Sequence, residues 1–394
     1  MLTALVFIII LGILIFVHEL GHFVAARRNG IKAEEFGFGF PPRIFGFQKI
    51  GRKWRFIWGK KDTQEEWENK DHQKEGTIFS LNWFPLGGFV KIKGENGEGA
   101  NEPDSFASKP AWTRIKVLAA GVTMNFILAW LVISLALTIG APQEMDNARG
   151  NAKNLKIQIS EVKSESVAEK MGFKVGDEIL QCLSPDPMCI QKFEEVDQVI
   201  SFIGANAGKE IVLKVKRGDT ILNLKGVPQF NREVGRGLIG VGLVQTAIVS
   251  YPWYQALVEG LIVTWRMIEM VFVTFYTVIV NLIGGEKVAV EVAGPVGIVY
   301  FTKQVTELGF VYILQFIAIL SVNLGIINIL PFPALDGGRI LFILIEKMKG
   351  SPVSAKVEHA IHTIGFLLLI TLMLFVTMKD IIRFDIWAKI TNIF

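Results

Sequence analysis

Residues 2–17, LTALVFIIILGILIFV, are apolar without a break, and the run passes directly into His18, Glu19 and His22. Extended by a few residues, such a stretch meets the roughly 20 residues a helix needs to cross a bilayer. A cleaved signal sequence would show an early basic residue and a small-residue cleavage site. Neither precedes Glu19, so a retained transmembrane helix is expected over about 2–25. Three further spans are expected at about 116–140, 311–335 and 361–378, the third leading into a break at Pro331 and Pro333. Residues 255–283 are also long and apolar, but Arg266 and Glu269 lie three apart on one helical face. An amphipathic helix lying in the membrane interface is expected there.

The rest of the composition fits this reading. Of 394 residues, 51% are hydrophobic and 20% are charged. That is more apolar than a soluble domain, which has about 25% charge, yet too charged for a bare bundle of spans. Several spans plus a substantial water-exposed part are implied, and the length allows about two or three domains. A net charge of +4, with no basic stripe studded with aromatics, gives no reason to expect nucleic acid. Two cysteines, Cys182 and Cys189, exclude both a disulfide framework and a four-cysteine zinc site.

Lys and Arg are frequent between Arg27 and Lys116, so this loop is expected on the cytoplasmic side. Both termini and residues 141–252 then fall outside. Within the basic loop, Gly87-Gly88-Phe89-Val90 opens an alternating apolar and basic strand. It reads either as part of a small cytosolic sheet or as a membrane-dipping edge that pairs with an extended peptide. Residues 60–75, which hold His72, and 94–109 read as exposed loops.

Residues 151–231 read as a domain outside the membrane. Ile157–Val162 alternates as a strand, Ser166–Gly172 reads as a short helix, and 210–216 with 220–225 form a hairpin. This order, with the phrase GFKVGDEIL at 172–180, resembles a bacterial PDZ domain. Such a domain either binds peptides along a strand edge or acts as a steric cap. In an oxidising compartment, Cys182 and Cys189 are expected to form a disulfide.

The strongest chemical pattern is His18-Glu19-Leu20-Gly21-His22. Histidines at i and i+4 share one helical face and can reach one Zn²⁺, while the glutamate beside them can act on water. At membrane depth such groups are costly and mark function. Catalytic zinc needs a third protein ligand and an open position. Asp336 is the candidate: a lone carboxylate closing an apolar span just after Pro331 and Pro333. Backbone freed by such a break is tolerated only in protein or along a cavity. Asp336 can meet His18 and His22 only if the first and third spans run parallel, which requires one crossing between them. Four spans follow, with 255–283 not counted. His359 and His362 read as polar residues entering the last span.

With these motifs the chain resembles the site-2 proteases, which are intramembrane zinc metalloproteases, in their bacterial RseP-like branch. The resemblance rests on HELGHF at 18–23, FGFGF at 36–40 and NWFPLGGFVKIKGE at 82–95. It extends through AAGVTMNF at 119–126, VAGPVGI at 292–298 and SVNLGIINILPFPALDGGRILF at 321–342. It implies one Zn²⁺ held by His18, His22 and Asp336, with Glu19 as general base. Asn323 and Asn328 correspond to positions associated with substrate. Regulated intramembrane proteolysis is implied, acting on single-span proteins such as anti-sigma factors after a prior cut outside; signal-peptide remnants are further expected substrates. Two departures stand out: there is room for one PDZ-like domain where relatives carry two, and Gly121-Val122 replaces a Gly-Pro pair.

The expected fold is thus a polytopic α-helical membrane protein with four transmembrane helices, a membrane-associated β-hairpin or sheet region and one extramembrane PDZ-like α+β domain. The expected order is a first span at 1–35, a β region at 36–110, a second span at 111–142 and the PDZ-like domain at 143–235. An amphipathic helical region at 236–310, a third span with the Leu-Asp-Gly motif at 311–345 and a fourth span with its tail at 346–394 complete it. The expected setting is a bacterial inner membrane, with the lipid bilayer and transmembrane substrates as partners and a monomeric chain. The histidine motif lies toward the cytoplasm and the PDZ-like domain in the periplasm. The competing reading is a non-catalytic membrane adaptor that captures peptides.

Overall fold

The computed structural model describes residues 2–59, 76–97, 99–144, 151–163, 165–183, 189, 192–218, 220–232, 234–285, 293–351 and 353–383. The expected loop at 60–75, with His72, lies outside the described residues, as do 184–188 between the cysteines and the tail at 384–394.

In chain order, helix α1 (Leu2–Arg28) is followed by strands β1 (Ala33–Ile50), β2 (Lys53–Trp58) and β3 (Ile78–Ile92), then helix α2 (Ala111–Ile139). Next come β4 (Ala141–Glu144), β5 (Asn151–Val162), α3 (Val167–Met171), β6 (Glu178–Cys182) and α4 (Val196–Ala205). Strands β7 (Ile211–Arg217), β8 (Thr220–Gly226), β9 (Gln229–Asn231), β10 (Arg236–Leu238) and β11 (Val241–Ser250) follow. Helices α5 (Trp253–Gly284), α6 (Pro295–Leu308), α7 (Phe310–Ile329), α8 (Asp336–Lys349) and α9 (Ala355–Arg383) complete the described chain. These elements form two compact units, residues 1–134 with 257–394, and residues 135–256.

In the first unit, α1, α2, α7 and α9 are long and apolar enough to cross a membrane. Helix α5, though 32 residues long, is not among them. Ile10 and Leu14 of α1 bury themselves with Ile317 of α7. Gly21 lets α1 close onto α2, because a Cβ there would stand 2.3 Å from the Ala120 carbonyl oxygen.

The third span stops short of its expected end at 335. Helix α7 ends at Ile329, and Leu330 turns to φ −59°, ψ 141°. The ring of Pro331 disfavours helical backbone at the residue before it and removes an N–H donor. Asp336 therefore does not close α7; it opens α8, which runs on to Lys349. Gly337 and Gly338 permit this tight return, since a Cβ on either would stand 2.2 Å from a carbonyl oxygen of residues 329–332.

The small sheet of this unit has the order β2-β1-β3, but β1 and β3 fold back on one another. Phe36 is flanked by both Phe79 and Val90, Gly37 by Ser80 and Phe89, and Phe38 by Leu81 and Gly88. Phe79 also pairs with Phe47, so residues 88–92 form the outer edge. Among the described residues no strand pairs with the far side of that edge. It lies against α1, where a Cβ on Gly87 would meet Ile15 at 2.6 Å.

The second unit is a six-stranded sheet in the order β4-β11-β5-β6-β7-β8. Its core gathers Ile157, Ile159, Phe173, Phe202, Leu213 and Val215. Helix α3 is bounded as its sequence suggests, by the Ser166 side chain at its start and left-handed Gly172 at its end. Asp177 is buried and takes two bonds from Arg217, of 2.7 and 2.8 Å. Cys182 and Cys189 are joined by a disulfide. The sheet does not stop at residue 235. The region expected to be helical from 236 begins with strands β10 and β11, and β11 lies between β4 and β5. VGLVQTAIVS at 241–250 is rich in β-branched and apolar residues and pairs on both sides, which suits an inner strand.

Candidate metal centre

Helical spacing brings the two histidines together. His18 and His22 are one turn apart on α1, both are buried, and their Nε2 atoms stand 3.1 Å from each other. The break after α7 carries Asp336 to the same point. Its Oδ2 lies 3.1 Å from Nε2 of His18 and 3.3 Å from Nε2 of His22.

These three atoms fit a zinc ion. Zinc bonds of about 2.0–2.1 Å in tetrahedral geometry place neighbouring ligand atoms roughly 3.3 Å apart. Asp336 Oδ2 is buried and accepts no hydrogen bond, as expected of an atom kept for a cation. His22 Nδ1 is 2.9 Å from the Val117 carbonyl oxygen, which can only accept. The proton of neutral His22 therefore sits on Nδ1, and the Nε2 lone pair faces the centre. Space for the ion depends on Gly121 of α2, because a Cβ there would stand 2.4 Å from Nε2 of His22.

A cavity of about 280 Å³ opens beside this trio, lined by Ile15, Glu19, Leu324, Asn328, Ala334 and Leu335 together with His18 and Asp336. Glu19 thus faces the same space as two of the three donors. Its Oε2 accepts the main-chain N–H of Val90, at 3.1 Å, from the outer edge of the sheet. Asn328 Nδ2 lies 3.4 Å from His18 Nε2. Two imidazoles and one carboxylate, an acidic side chain beside them and an adjoining cavity match the requirements of metal-assisted hydrolysis.

The sequence matches the model of peptidase family M50 over residues 6–58 and 70–372. The chain belongs to peptidase family M50, the site-2 proteases. Similar to this M50 chain is a protein of Clostridium perfringens named a zinc metalloprotease, 33% identical over 369 residues, covering 94% of this chain and 95% of that one. RasP of Bacillus subtilis, named the regulator of sigma-W protease, is 31% identical over 441 residues, covering 97% and 98%. A Nostoc protein named a zinc metalloprotease is 31% identical over 385 residues, covering 96% of each. This M50 chain is a zinc metalloprotease and a membrane protein.

The other residues singled out in the sequence divide. Gly87, Gly88, Phe89 and Val90 lie at the sheet edge near Glu19, and Pro331 and Pro333 lie in the turn that delivers Asp336. Asn323 is not among the cavity-lining residues and donates to the carbonyl oxygen of Ile319 on its own helix. His362 has a part that its spacing does not announce. Its Nδ1 accepts the main-chain N–H of Ala334 at 2.8 Å, two residues before Asp336. Buried Asn125 of α2 also touches His18, and buried Asp380 of α9 caps the start of α6. A polar residue inside an apolar helix is the signal that could have pointed to both.

Proposed function

We propose that this M50 protein is an intramembrane endopeptidase that cleaves single-span membrane proteins at a zinc centre held by His18, His22 and Asp336. The observation that carries the reading is the meeting of these three donors, 3.1–3.3 Å apart, at the break that ends the apolar helix α7 and beside a cavity faced by Glu19. When bound, zinc supplies a Lewis acid for the peptide carbonyl and makes water easier to deprotonate. Glu19 takes the proton from the attacking water and returns it to the leaving nitrogen, and Asn328 holds the peptide beside the centre.

A helical substrate hides its carbonyls in its own hydrogen bonds, so it must be unwound before attack. The outer edge at 88–92 offers an unwound segment strand pairing next to Glu19, which suits peptide addition to a sheet. The second unit is read as a PDZ-like domain on the extracytoplasmic side. Its disulfide supports that side, since such bonds persist in oxidising compartments. A groove lined by Ile200, Ile203 and residues 236–241 supports peptide capture there. The regulatory name of the Bacillus subtilis relative supports anti-sigma factors as the substrate class. The adaptor reading gains no observation of its own, because a structural zinc site has no use for Glu19.

The test is co-expression with a tagged single-span substrate already shortened outside, comparing wild type with Glu19→Gln and Asp336→Asn by blot. Cleavage by the wild type alone is expected. Equal cleavage by Glu19→Gln would remove Glu19 from the role of base.

A further inference from the structure

Asn125 is fully buried in the second span. Its side-chain amide nitrogen lies 3.1 Å from Nδ1 of His18, and its buried Oδ1 has no hydrogen-bond partner. Its backbone is held from α7, where the Ser321 hydroxyl donates to the Asn125 carbonyl oxygen at 2.7 Å. Close packing helps to fix this height, since a Cβ on Gly325 would meet the ring of Phe126 at 2.9 Å. Helices α1, α2 and α7 therefore meet at Asn125.

The tautomer of His18 decides what the amide must do. Nε2 of His18 is the atom that faces His22 and Asp336. For Nε2 to offer a lone pair to a metal, the proton of neutral His18 must sit on Nδ1, which then needs an acceptor. An amide N–H cannot serve. The two ends of the amide have the same shape, so a half-turn about its last bond brings Oδ1 onto Nδ1–H. His22 has its acceptor in the Val117 carbonyl, and the amide of Asn125 is the corresponding group at His18.

We propose that Asn125 is a positioning residue for the metal centre, whose side-chain oxygen accepts the Nδ1–H of His18 and so fixes the tautomer and ring angle that present Nε2 to zinc. It rests on the assignment of His18, His22 and Asp336 as ligands. Acceptors behind ligating histidines contribute about 10–100-fold to metal affinity.

The test uses the full chain in detergent and measures zinc affinity by competition with a chromogenic chelator. Thermal unfolding of the zinc-free protein gives a separate reading of folding. Asn125→Leu keeps volume but removes the acceptor, and Asn125→Ala removes it without bulk if the leucine variant does not fold. Each is expected to bind zinc about 10–100-fold more weakly. Asn125→Asp keeps the acceptor and is expected to stay within about threefold of wild type. A packing role predicts the opposite order, with leucine tolerated and aspartate not, and that order overturns the proposal. Wild-type affinity in both Asn125→Leu and Asn125→Ala also overturns it and leaves the ligands standing. Wild-type affinity in His22→Ala removes the ligand set itself, and the proposal falls with it.

Discussion

Val90 donates its main-chain N–H to Oε2 of Glu19 at 3.1 Å, which ties the outer edge of the sheet to the acidic side chain of the cavity. A peptide strand added as proposed would use the N–H groups of this edge, so its arrival and the release of Glu19 would be linked. Val90→Pro deletes that donor at an edge position, where proline is tolerated. The sheet and zinc binding are expected to survive, while cleavage falls about tenfold or more, as expected for a displaced general base. Zinc content and single-turnover cleavage of one purified sample measure both, and unchanged cleavage would sever the link.

Gly121 leaves room over the paired imidazoles. In Gly121→Ala the new Cβ would stand 2.4 Å from Nε2 of His22 and 2.8 Å from Cε1 of His18. Both rings are held from behind, His22 by Val117 and His18 by Asn125, so they have little freedom to yield. Zinc retention after gel filtration is expected to drop at least tenfold, in line with the geometric demands of the ion. A metal-to-protein ratio equal to wild type would contradict this.

Asp380 takes the N–H groups of Gly294 and Gly297, at 2.9 and 2.7 Å, at the start of α6. A carboxylate there satisfies donors that the helix itself leaves open and complements its dipole. Asp380→Leu strands both donors in a buried place and is expected to weaken local structure by about 2–3 kcal/mol. Faster amide exchange over residues 294–298, with zinc affinity unaltered, is the expected signature. Equal exchange rates would deny the cap.

In the second unit, the Arg217 guanidinium bonds Asp177 through two atoms and the Gly172 carbonyl through a third contact. Its bond to Asp177 raises the Arg217 pKa further above an already high value, so the guanidinium keeps its charge throughout the neutral range. Arg217→Met leaves the carboxylate of Asp177, 1% exposed as a residue, without its cation. A loss of about 2–4 kcal/mol is expected, somewhat below that of a fully buried pair because the arginine is partly open to water. Chemical unfolding followed by circular dichroism reads it, and a shift under about 0.5 kcal/mol, as at an ordinary surface position, would count against it.

What the sequence disclosed depends on the range of each signal. His18, Glu19 and His22 were legible because their geometry is local to one helix turn. Asp336 was legible as a lone carboxylate after two prolines, although its place at the head of α8 was not. That depended on α7 stopping at Ile329, just before Pro331, and on the turn through 332–335 that follows. Strand β11 was missed because its partners, β4 and β5, lie far back in the chain and nothing in its own ten residues names them. Asn125, His362 and Asp380 acquire meaning only through what packs against them. Asn125 lies in the AAGVTMNF run at 119–126, but that run assigns it no role, and its burial beside His18 shows its use.

The division of the centre between the first span and the segment after the third has a consequence for synthesis. His18 and His22 leave the ribosome early, whereas Asp336 is made only after the second unit and α7. A chain still being made holds two of the three donors and lacks the turn that would complete the set. With the proposed ligand set, the protease would be inert toward its neighbours until nearly its whole length had been built, a delay written into the order of its parts.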